Sequence, residues 1–192
     1  MLLLAVMSPT QAADENGQFA LRGAGLLPCS VITRERAARS ELYRLAAAWA
    51  DGYLTGINQH QETTYDAVSF ESTELLMAVV AEHCESHPKD PLFGVLNGLF
   101  KKLATDRLQE KSTKLEIRNG QLKTSLYVST LMRAQDLLAS YGHYAGDPSG
   151  KYDQATISAL KGYQSAIGFE PTGFPDQATL WRLFRGANRS DR

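Results

Sequence analysis

Two copies of one four-residue motif near the C-terminus constrain the fold of this chain more than any other feature. Asp153-Gln154-Ala155-Thr156 recurs as Asp176-Gln177-Ala178-Thr179. In each copy the aspartate is able to accept hydrogen bonds from the free amides of a helix's first turn, and the threonine is placed to return toward the cap as in a capping box. Gly150 and Gly173 precede the copies, where tight turns are needed. The motif therefore predicts two helix starts that are built alike.

Three short helices are expected around this repeat. Ser129 or Thr130 is available as the cap of the first helix, and a glycine follows the end of each one. The predicted helices cover about 131–141, 153–167 and 176–185, and the closing glycines are Gly142, Gly168 and Gly186.

A longer pattern of glycines, aromatics and glutamines surrounds the two motifs. Its members are Gln135, Leu138, Tyr141-Gly142-His143-Tyr144, Gly146, Gly150, Tyr152, Thr156, Tyr163-Gln164, Gly168-Phe169, Thr172-Gly173, Asp176, Thr179 and Leu183. In order and in spacing, this stretch resembles the peptidoglycan-binding domain that is appended to cell-wall amidases and lytic enzymes. Two positions depart from that family. Its usual Asp-Gly turn is Ser149-Gly150 here, and its glycine after the aromatic is Asp153.

The resemblance implies a shallow groove beside the loop from Tyr144 to Thr156 and the end of the second helix. Such a groove would hold wall sugars and peptides with aromatic faces and a few polar groups. For each of these positions a purely structural role is an open alternative, above all for Tyr152, Thr156 and Phe169. Tyr144 and Asp147 lie in a loop with glycine and proline, which favours exposure. The candidate ligand-binding residues are Tyr144, Asp147, Tyr152, Thr156, Gln164 and Phe169.

The front half of the chain also predicts helices. Apolar residues recur at three- and four-residue steps in two stretches, and Pro88 stops the second of them. A third helix is expected to begin with Asp90 as N-cap and Pro91 at the first helical position. Asn119-Gly120 is a strong turn signal in a polar segment. The first two helices are predicted over about 34–58 and 72–86.

The predicted fold class is all-α, with two small helical domains. Cys29 and Cys84 form an even pair, which in an exported protein favours one disulfide; two buried free thiols are the alternative. The expected organisation is an N-terminal helical domain over 25–108, a linker or short hairpin over 109–125, a three-helix bundle over 126–186 and a tail over 187–192.

Residues 1–13 have the apolar run, helix breaker and small residues of a secretory signal peptide, although they lack its basic start. Either the true start lies upstream or the segment is an apolar tail. The expected location is periplasmic or secreted. No other segment is apolar over the roughly 20 residues that a membrane span needs, so the mature chain is not expected to cross a membrane.

The net charge of −1 gives no sign of general nucleic-acid binding. Its distribution is uneven, because residues up to Glu110 include 9 basic and 14 acidic side chains, whereas those from Lys111 onward include 11 basic and 7 acidic ones. This asymmetry suggests two units with different surfaces, or chance variation among solvated faces.

The N-terminal half carries a weaker resemblance. The segment from Trp49 to Asn58, followed by the Cys84 to Pro88 region and Asp90-Pro91-Leu92, is similar to the HdeA-like acid-stress chaperones and the Rap/Tai-type immunity proteins. That resemblance implies a protein partner. The alternative is a disulfide-stapled helical domain with no transferable activity. Gly52 and Gly56, four residues apart, would allow close approach of another helix.

No catalytic constellation is apparent in the sequence. There is no GxSxG elbow, no HExxH and no phosphate-binding glycine loop. His83 and His87 have a formal two-ligand spacing, but Pro88 ends the helix there. We therefore expect no metal, no cofactor and no enzymatic activity. The favoured hypothesis is a peptidoglycan-binding envelope protein; the alternatives are an immunity- or chaperone-like module at the wall and a wall hydrolase of unrecognised type.

Overall fold

The computed structural model describes residues 13–186, so the predicted signal peptide falls outside the described part except for Ala13, as does the predicted tail. The described chain is mostly helical, which confirms the predicted class, with one small two-stranded sheet that an all-α chain would lack. Within this range no helix is both long enough and apolar enough to cross a bilayer.

The first predicted helix is in fact two helices. Helix α1 spans Cys29–Ala37 and α2 spans Glu41–His60. Between them Arg39 has a φ of +48°, a left-handed conformation that stops α1. The Ser40 side chain then accepts a hydrogen bond from the Tyr43 amide and starts α2. The apolar stripe behind the prediction runs from Leu42 to Tyr53 and lies entirely within α2, so it did not locate the break before it.

Helices α3 and α4 span Thr73–Ser86 and Leu92–Leu103. Ser72 caps α3, because its side chain accepts a hydrogen bond from the Leu75 amide. The predicted cap of α4 is wrong, because Pro91 occupies the cap position and Asp90 lies one residue outside the helix. The Asp90 carboxylate lies 2.9 Å from Nε2 of His83 instead. That tertiary partner replaces the local capping bond.

A disulfide joins Cys29 at the start of α1 to Cys84 near the end of α3, as predicted. Both cysteines are buried in the N-terminal core, which also contains residues of α2 and α4. The bond closes a loop of 55 residues, which in the chain-entropy model stabilises the fold by roughly 4 kcal/mol.

Gly52 and Gly56 do not mediate a close helix contact within the part of the chain that the structure describes. A Cβ built at either position meets none of its atoms within 4 Å. The two glycines border an open groove on α2. The spacing argument was wrong here because a small-residue pair permits close packing but does not supply the partner.

The segment between the two helical regions forms a β-hairpin. Strand β1 spans Lys114–Asn119 and pairs antiparallel with β2, Leu122–Tyr127. Gly120 has a φ of +59°, which the tight turn requires. Ile117 and Leu126 are buried in the core of the C-terminal helices. The hairpin is therefore part of that core and not a linker.

Helices α5, α6 and α7 span Val128–Ser140, Gln154–Ala166 and Gln177–Arg185. The last two agree with the predicted helices and are capped by the aspartates of the repeated motif. The first starts earlier than expected and has no side-chain cap. Its predicted cap Thr130 is buried, and its hydroxyl donates to the Ser69 carbonyl at 3.0 Å. The Thr130 side chain therefore contacts the other half of the chain and does not cap α5.

The segment 66–72, which lies between α2 and α3, contributes residues to the cores of both halves. Phe70 belongs to the core of the C-terminal helices, where its ring centroid lies 5.0 Å from that of Phe184. Gln177 at the start of α7 accepts a hydrogen bond from the Ser72 amide and donates one to the Phe70 carbonyl. The C-terminal bundle is thus completed by residues from the N-terminal half.

Buried charges reinforce the same contact. Arg185 on α7 pairs with Glu71, whose side chain is fully buried, and with Asp106. Asp106 also pairs with Arg133 of α5. Two helices of the C-terminal bundle are therefore ion-paired to the N-terminal half in a largely buried network.

We expect Arg185→Ala to lower the free energy of unfolding by about 3–5 kcal/mol, because it leaves the buried Glu71 carboxylate without its cation. Arg118→Ala removes the exposed ion pair with Glu116 and serves as the matched control. Urea denaturation of the two variants measures the difference. Equal midpoints for both would contradict the account of the buried network.

Candidate functional site

Two loops of the C-terminal bundle are each held by one buried glutamine. In the first loop, the Gln135 side-chain oxygen accepts hydrogen bonds from the amides of Ser149 and Gly150, both at 2.8 Å. Its side-chain nitrogen donates to the Thr156 hydroxyl at 2.8 Å and to the Lys151 carbonyl at 3.1 Å. Gln135 is fully buried, so a single side chain fixes the end of the loop onto α5.

The second loop repeats this arrangement on α6. The Gln164 side-chain oxygen accepts from the Gly173 amide at 2.7 Å. Its nitrogen donates to the Phe174 carbonyl at 2.9 Å and to the Thr179 hydroxyl at 3.0 Å. The internal repeat seen in the sequence therefore extends beyond the motif. Each unit has a helix with a buried glutamine, a loop with a glycine, and an Asp-capped helix.

The two caps differ in one respect from the predicted capping box. The carboxylates of Asp153 and Asp176 accept from the amides of Thr156 and Thr179 at 3.0 and 2.8 Å, as expected. The threonine hydroxyls, however, contact the same carboxylates and not the cap backbone. The hydrogen bonds from the Thr156 amide and hydroxyl lower the pKa of Asp153.

The loops are also tied to each other and to the hairpin. The Tyr152 hydroxyl donates to the Gly173 carbonyl at 2.9 Å, and the Asn119 side chain donates to the Thr172 carbonyl at 2.9 Å. Gly150 and Gly173 have positive φ, and a Cβ on either would lie within 3.0 Å of neighbouring side-chain atoms. Both positions therefore require glycine.

The structure separates the six candidate ligand-binding residues into two groups. Thr156 and Gln164 are buried, and their polar groups are used by the internal hydrogen bonds described above. Tyr152 is half-buried, with its hydroxyl bonded to the second loop. Of the other three, Asp147 and Phe169 are exposed, whereas Tyr144 is half-buried and packs against the core of the bundle, so the exposure expected for Tyr144 is only partial.

Another candidate binding surface, which the sequence did not reveal, lies beside the start of the loop between α5 and α6. A cleft of about 280 Å³ is formed where the end of α5 meets α6 and α7. We call it the aromatic cleft. The Tyr141 and Tyr163 ring centroids are 5.7 Å apart, and His143 meets Tyr163 edge-to-face at 5.9 Å. Arg182 of α7 completes its wall. Tyr141, His143 and Tyr163 all belong to the sequence pattern, but their convergence with Arg182 depends on how the helices pack.

Among residues 13–186, no group of three or more His, Cys, Asp or Glu side chains is placed so that it could hold a metal ion. The His83 and His87 rings stack with centroids 4.2 Å apart, and Nε2 of His83 faces Asp90. The two histidines therefore contact each other face-to-face and do not converge on a shared ligand position.

Among known protein families, one matches this chain, and the match lies in the C-terminal bundle. The sequence model of a family described as "Putative peptidoglycan binding domain" matches residues 129–183. No curated protein and no solved structure matches the chain. The matched range begins inside α5 and ends inside α7, so it covers both glutamine-held loops and the aromatic cleft.

The bundle of α5, α6 and α7 is therefore a small helical binding module and not a catalytic one. Residues 129–183 form a C-terminal domain of the peptidoglycan-binding family, which confirms the stronger of the two resemblances seen in the sequence. Such a domain, together with the disulfide, points to a protein of the cell envelope. The weaker resemblance of the N-terminal half stays a prediction.

Replacing Gln164 by leucine should lower the free energy of unfolding by about 2–6 kcal/mol, since the Gly173 amide and the Phe174 carbonyl would each lose a partner at about 1–3 kcal/mol. Gln154→Leu, at the exposed start of α6, is the control and should change stability by less than about 0.5 kcal/mol. Thermal and urea unfolding followed by circular dichroism measure both. A Gln164→Leu protein as stable as the control would show that the loop does not depend on this amide.

The depressed pKa of Asp153 predicts a specific acid sensitivity. Because the folded pKa lies below the unfolded one, the contribution of the carboxylate is present above the unfolded pKa, about 3.9, and is lost as the pH falls through the folded value. Asp153→Asn keeps a capping side chain but cannot titrate. The difference in Tm between the native protein and this variant should therefore shrink below about pH 4. A constant difference from neutral to acidic pH would rule out this linkage.

Proposed function

We propose that this protein is a non-enzymatic, exported peptidoglycan-binding protein that presents its N-terminal helical domain at the cell wall. The family match over residues 129–183 is the observation that carries the proposal. The twin glutamine-held loops support it, because they keep intact the frame on which a binding surface of this family would be built.

In this proposal the wall is contacted by the aromatic cleft and the loop that follows it. Tyr141 is exposed and Tyr163 forms the base of the cleft. Aromatic faces pack against the apolar C–H faces of sugar rings while their polar edges remain hydrated. Arg182 is exposed and forms no ion pair with any residue between 13 and 186, so its guanidinium is available to the carboxylates of wall peptides.

The loop residues extend this surface. Tyr144 follows His143 directly along the chain, and Asp147 lies three residues further on. Phe169 follows the corresponding turn after α6. We assign contact with the ligand to Tyr144, Asp147 and Phe169. Tyr152, Thr156 and Gln164 are assigned the role of holding the loops in place, because their polar groups are bonded internally.

The N-terminal domain would be displayed in a fixed orientation. Phe70 and the Arg185–Glu71 pair join it directly to the wall-binding bundle. It carries a cleft of about 740 Å³ whose lining includes arginines of α1 and α2 and glutamates of α3. Residues 1–13 supply the signal for export in this proposal, and the disulfide fits an oxidising compartment.

The full chain should sediment with purified sacculi, and Tyr141→Ala and Arg182→Ala should each weaken that binding about three- to tenfold, the effect of losing roughly 0.7–1.4 kcal/mol. Phe19→Ala removes another exposed aromatic side chain, on the N-terminal domain, and is the control. The full chain is used because Phe70 completes the core of the bundle.

Two results would contradict the proposal. One is a native chain that stays in the supernatant with sacculi at low and moderate salt. The other is release of soluble muropeptides by the native chain, which would identify it as a wall hydrolase.

A further inference from the structure

The cleft of about 740 Å³ on the N-terminal domain lies apart from the aromatic cleft and shares no residue with it. Its lining comes from α1, from the turn between α1 and α2, from the start of α2 and from α3. We call it the arginine cleft, because Arg36, Arg39 and Arg44 line it. Its volume falls within the range of roughly 300–1,000 Å³ that is usual for small-ligand sites.

Two of these arginines have guanidinium groups that the fold does not use. Arg44 forms an exposed ion pair with Glu41, which lies outside the lining. Arg36 and Arg39 are exposed, and neither side chain forms a hydrogen bond or an ion pair with any residue between 13 and 186. A guanidinium presents a planar fork of donors that suits a carboxylate. Both side chains can therefore bind a carboxylate without giving up an internal partner.

Arg39 also occupies a backbone position that favours glycine. Its φ is +48°, and the amide of Ser40 donates to the Glu35 carbonyl at 3.1 Å, as in a Schellman motif. Helices α5 and α6 close with the equivalent hydrogen bond, but there the left-handed residue is Gly142 or Gly168. An arginine in this conformation costs stability relative to glycine, and such residues concentrate at functional sites. The cost is explained if the Arg39 side chain contacts a ligand in the cleft.

Two glutamates extend the lining along α3. Glu74 and Glu85 are both exposed, and neither forms an ion pair within the described part of the chain. They are eleven residues apart on one helix, which at about 1.5 Å per residue separates them by about 16 Å along its axis. An extended peptide of about five residues spans that length. Ala81 is buried and Tyr43 half-buried in the same lining, so the cleft also offers apolar contact.

The arginine cleft is held open independently of any ligand. The disulfide between Cys29 and Cys84 fixes α1 against α3. The Thr33 hydroxyl, from the lining, donates to the Cys29 carbonyl at 3.0 Å and is therefore occupied within the helix. Ser40 caps α2 directly after the left-handed turn, which fixes the start of that helix. Binding does not need to order the site, which reduces its entropic cost.

We propose that the arginine cleft binds a short peptide that carries both carboxylates and amino groups. Its carboxylates would lie on Arg36 and Arg39, and its amino groups on Glu74 and Glu85. A ligand with only one sign of charge is disfavoured, because the lining presents the like charge as well. The stem peptides of peptidoglycan carry both groups. The proposal rests on the proposed wall-binding function only for this source of the peptide.

The test is a titration of the ¹⁵N-labelled full chain with the synthetic stem tetrapeptide L-Ala-γ-D-Glu-meso-diaminopimelyl-D-Ala, followed by amide chemical shifts. Saturable shifts are expected at residues 33–44 and 74–85. Tetra-alanine, which has only its terminal charges, should bind about three- to tenfold more weakly, because it lacks the side-chain carboxylates and amino group.

The Arg39→Gly variant separates a binding role from a structural one. It should weaken the affinity for the tetrapeptide about three- to tenfold, the effect of losing one solvent-exposed charged contact. It should also raise Tm by about 1–3 °C, because glycine suits the left-handed position. Arg36→Gln should weaken binding to a similar extent. Arg34→Gln is the matched control, since Arg34 is an exposed arginine of the same helix outside the lining.

The glutamates are tested by changing both partners of the contact. The double variant Glu74→Gln with Glu85→Gln should weaken binding of the tetrapeptide about three- to tenfold, but should not weaken binding of the same peptide with its amino groups acetylated. Equal losses for both peptides would overturn the assignment of amino groups to the glutamates.

Four results overturn the proposal as a whole. These are the absence of saturable shifts, shifts confined to the surroundings of Tyr141 and Arg182, equal affinity for tetra-alanine, and an Arg39→Gly chain that binds like the native one or has a lower Tm. Sedimentation with sacculi is measured in parallel. Sedimentation without tetrapeptide binding defeats this proposal alone, and the converse defeats only the proposed wall-binding function.

Discussion

One buried side-chain amide in each half of the C-terminal bundle closes the loop that follows its helix, and the whole module depends on this bonding. An amide is suited to the task because it offers an acceptor and two donors in one plane. Gln135 satisfies two loop amides and Gln164 one, and each also satisfies a loop carbonyl and a threonine hydroxyl. The aspartate caps then start α6 and α7 in fixed positions. Leaving these backbone groups unpaired in the interior would cost more than most single packing defects.

The wall-binding module and the N-terminal helices are not independent units joined by a flexible segment. Phe70 fills the core of the bundle, and Arg185 neutralises a carboxylate that is fully buried in the N-terminal half. Separation of the two halves would expose the apolar Phe70, and a Glu71 carboxylate that stays buried is tolerated only with Arg185 beside it. An N-terminal domain held in this way keeps one orientation relative to a surface bound by the bundle.

The sequence pattern located the candidate binding region but did not separate its structural residues from its exposed ones. Thr156 and Gln164 stand out in the pattern because the loop geometry requires them, and the structure buries both. Tyr141 and Arg182, which line the aromatic cleft, are more than forty residues apart, and nothing in their local sequence links them.

The sequence by itself determined the features that depend on bonds within a few residues. These include the Asp153 and Asp176 helix starts and the Asn119-Gly120 turn. Only the tertiary structure decided where Asp90 and Thr130 place their side chains, why the hairpin belongs to the bundle, and which aromatics meet Arg182. The physical reason is that a cap or turn forms from neighbouring groups, whereas these contacts join residues that only the packing of distant helices brings within hydrogen-bonding or van der Waals distance.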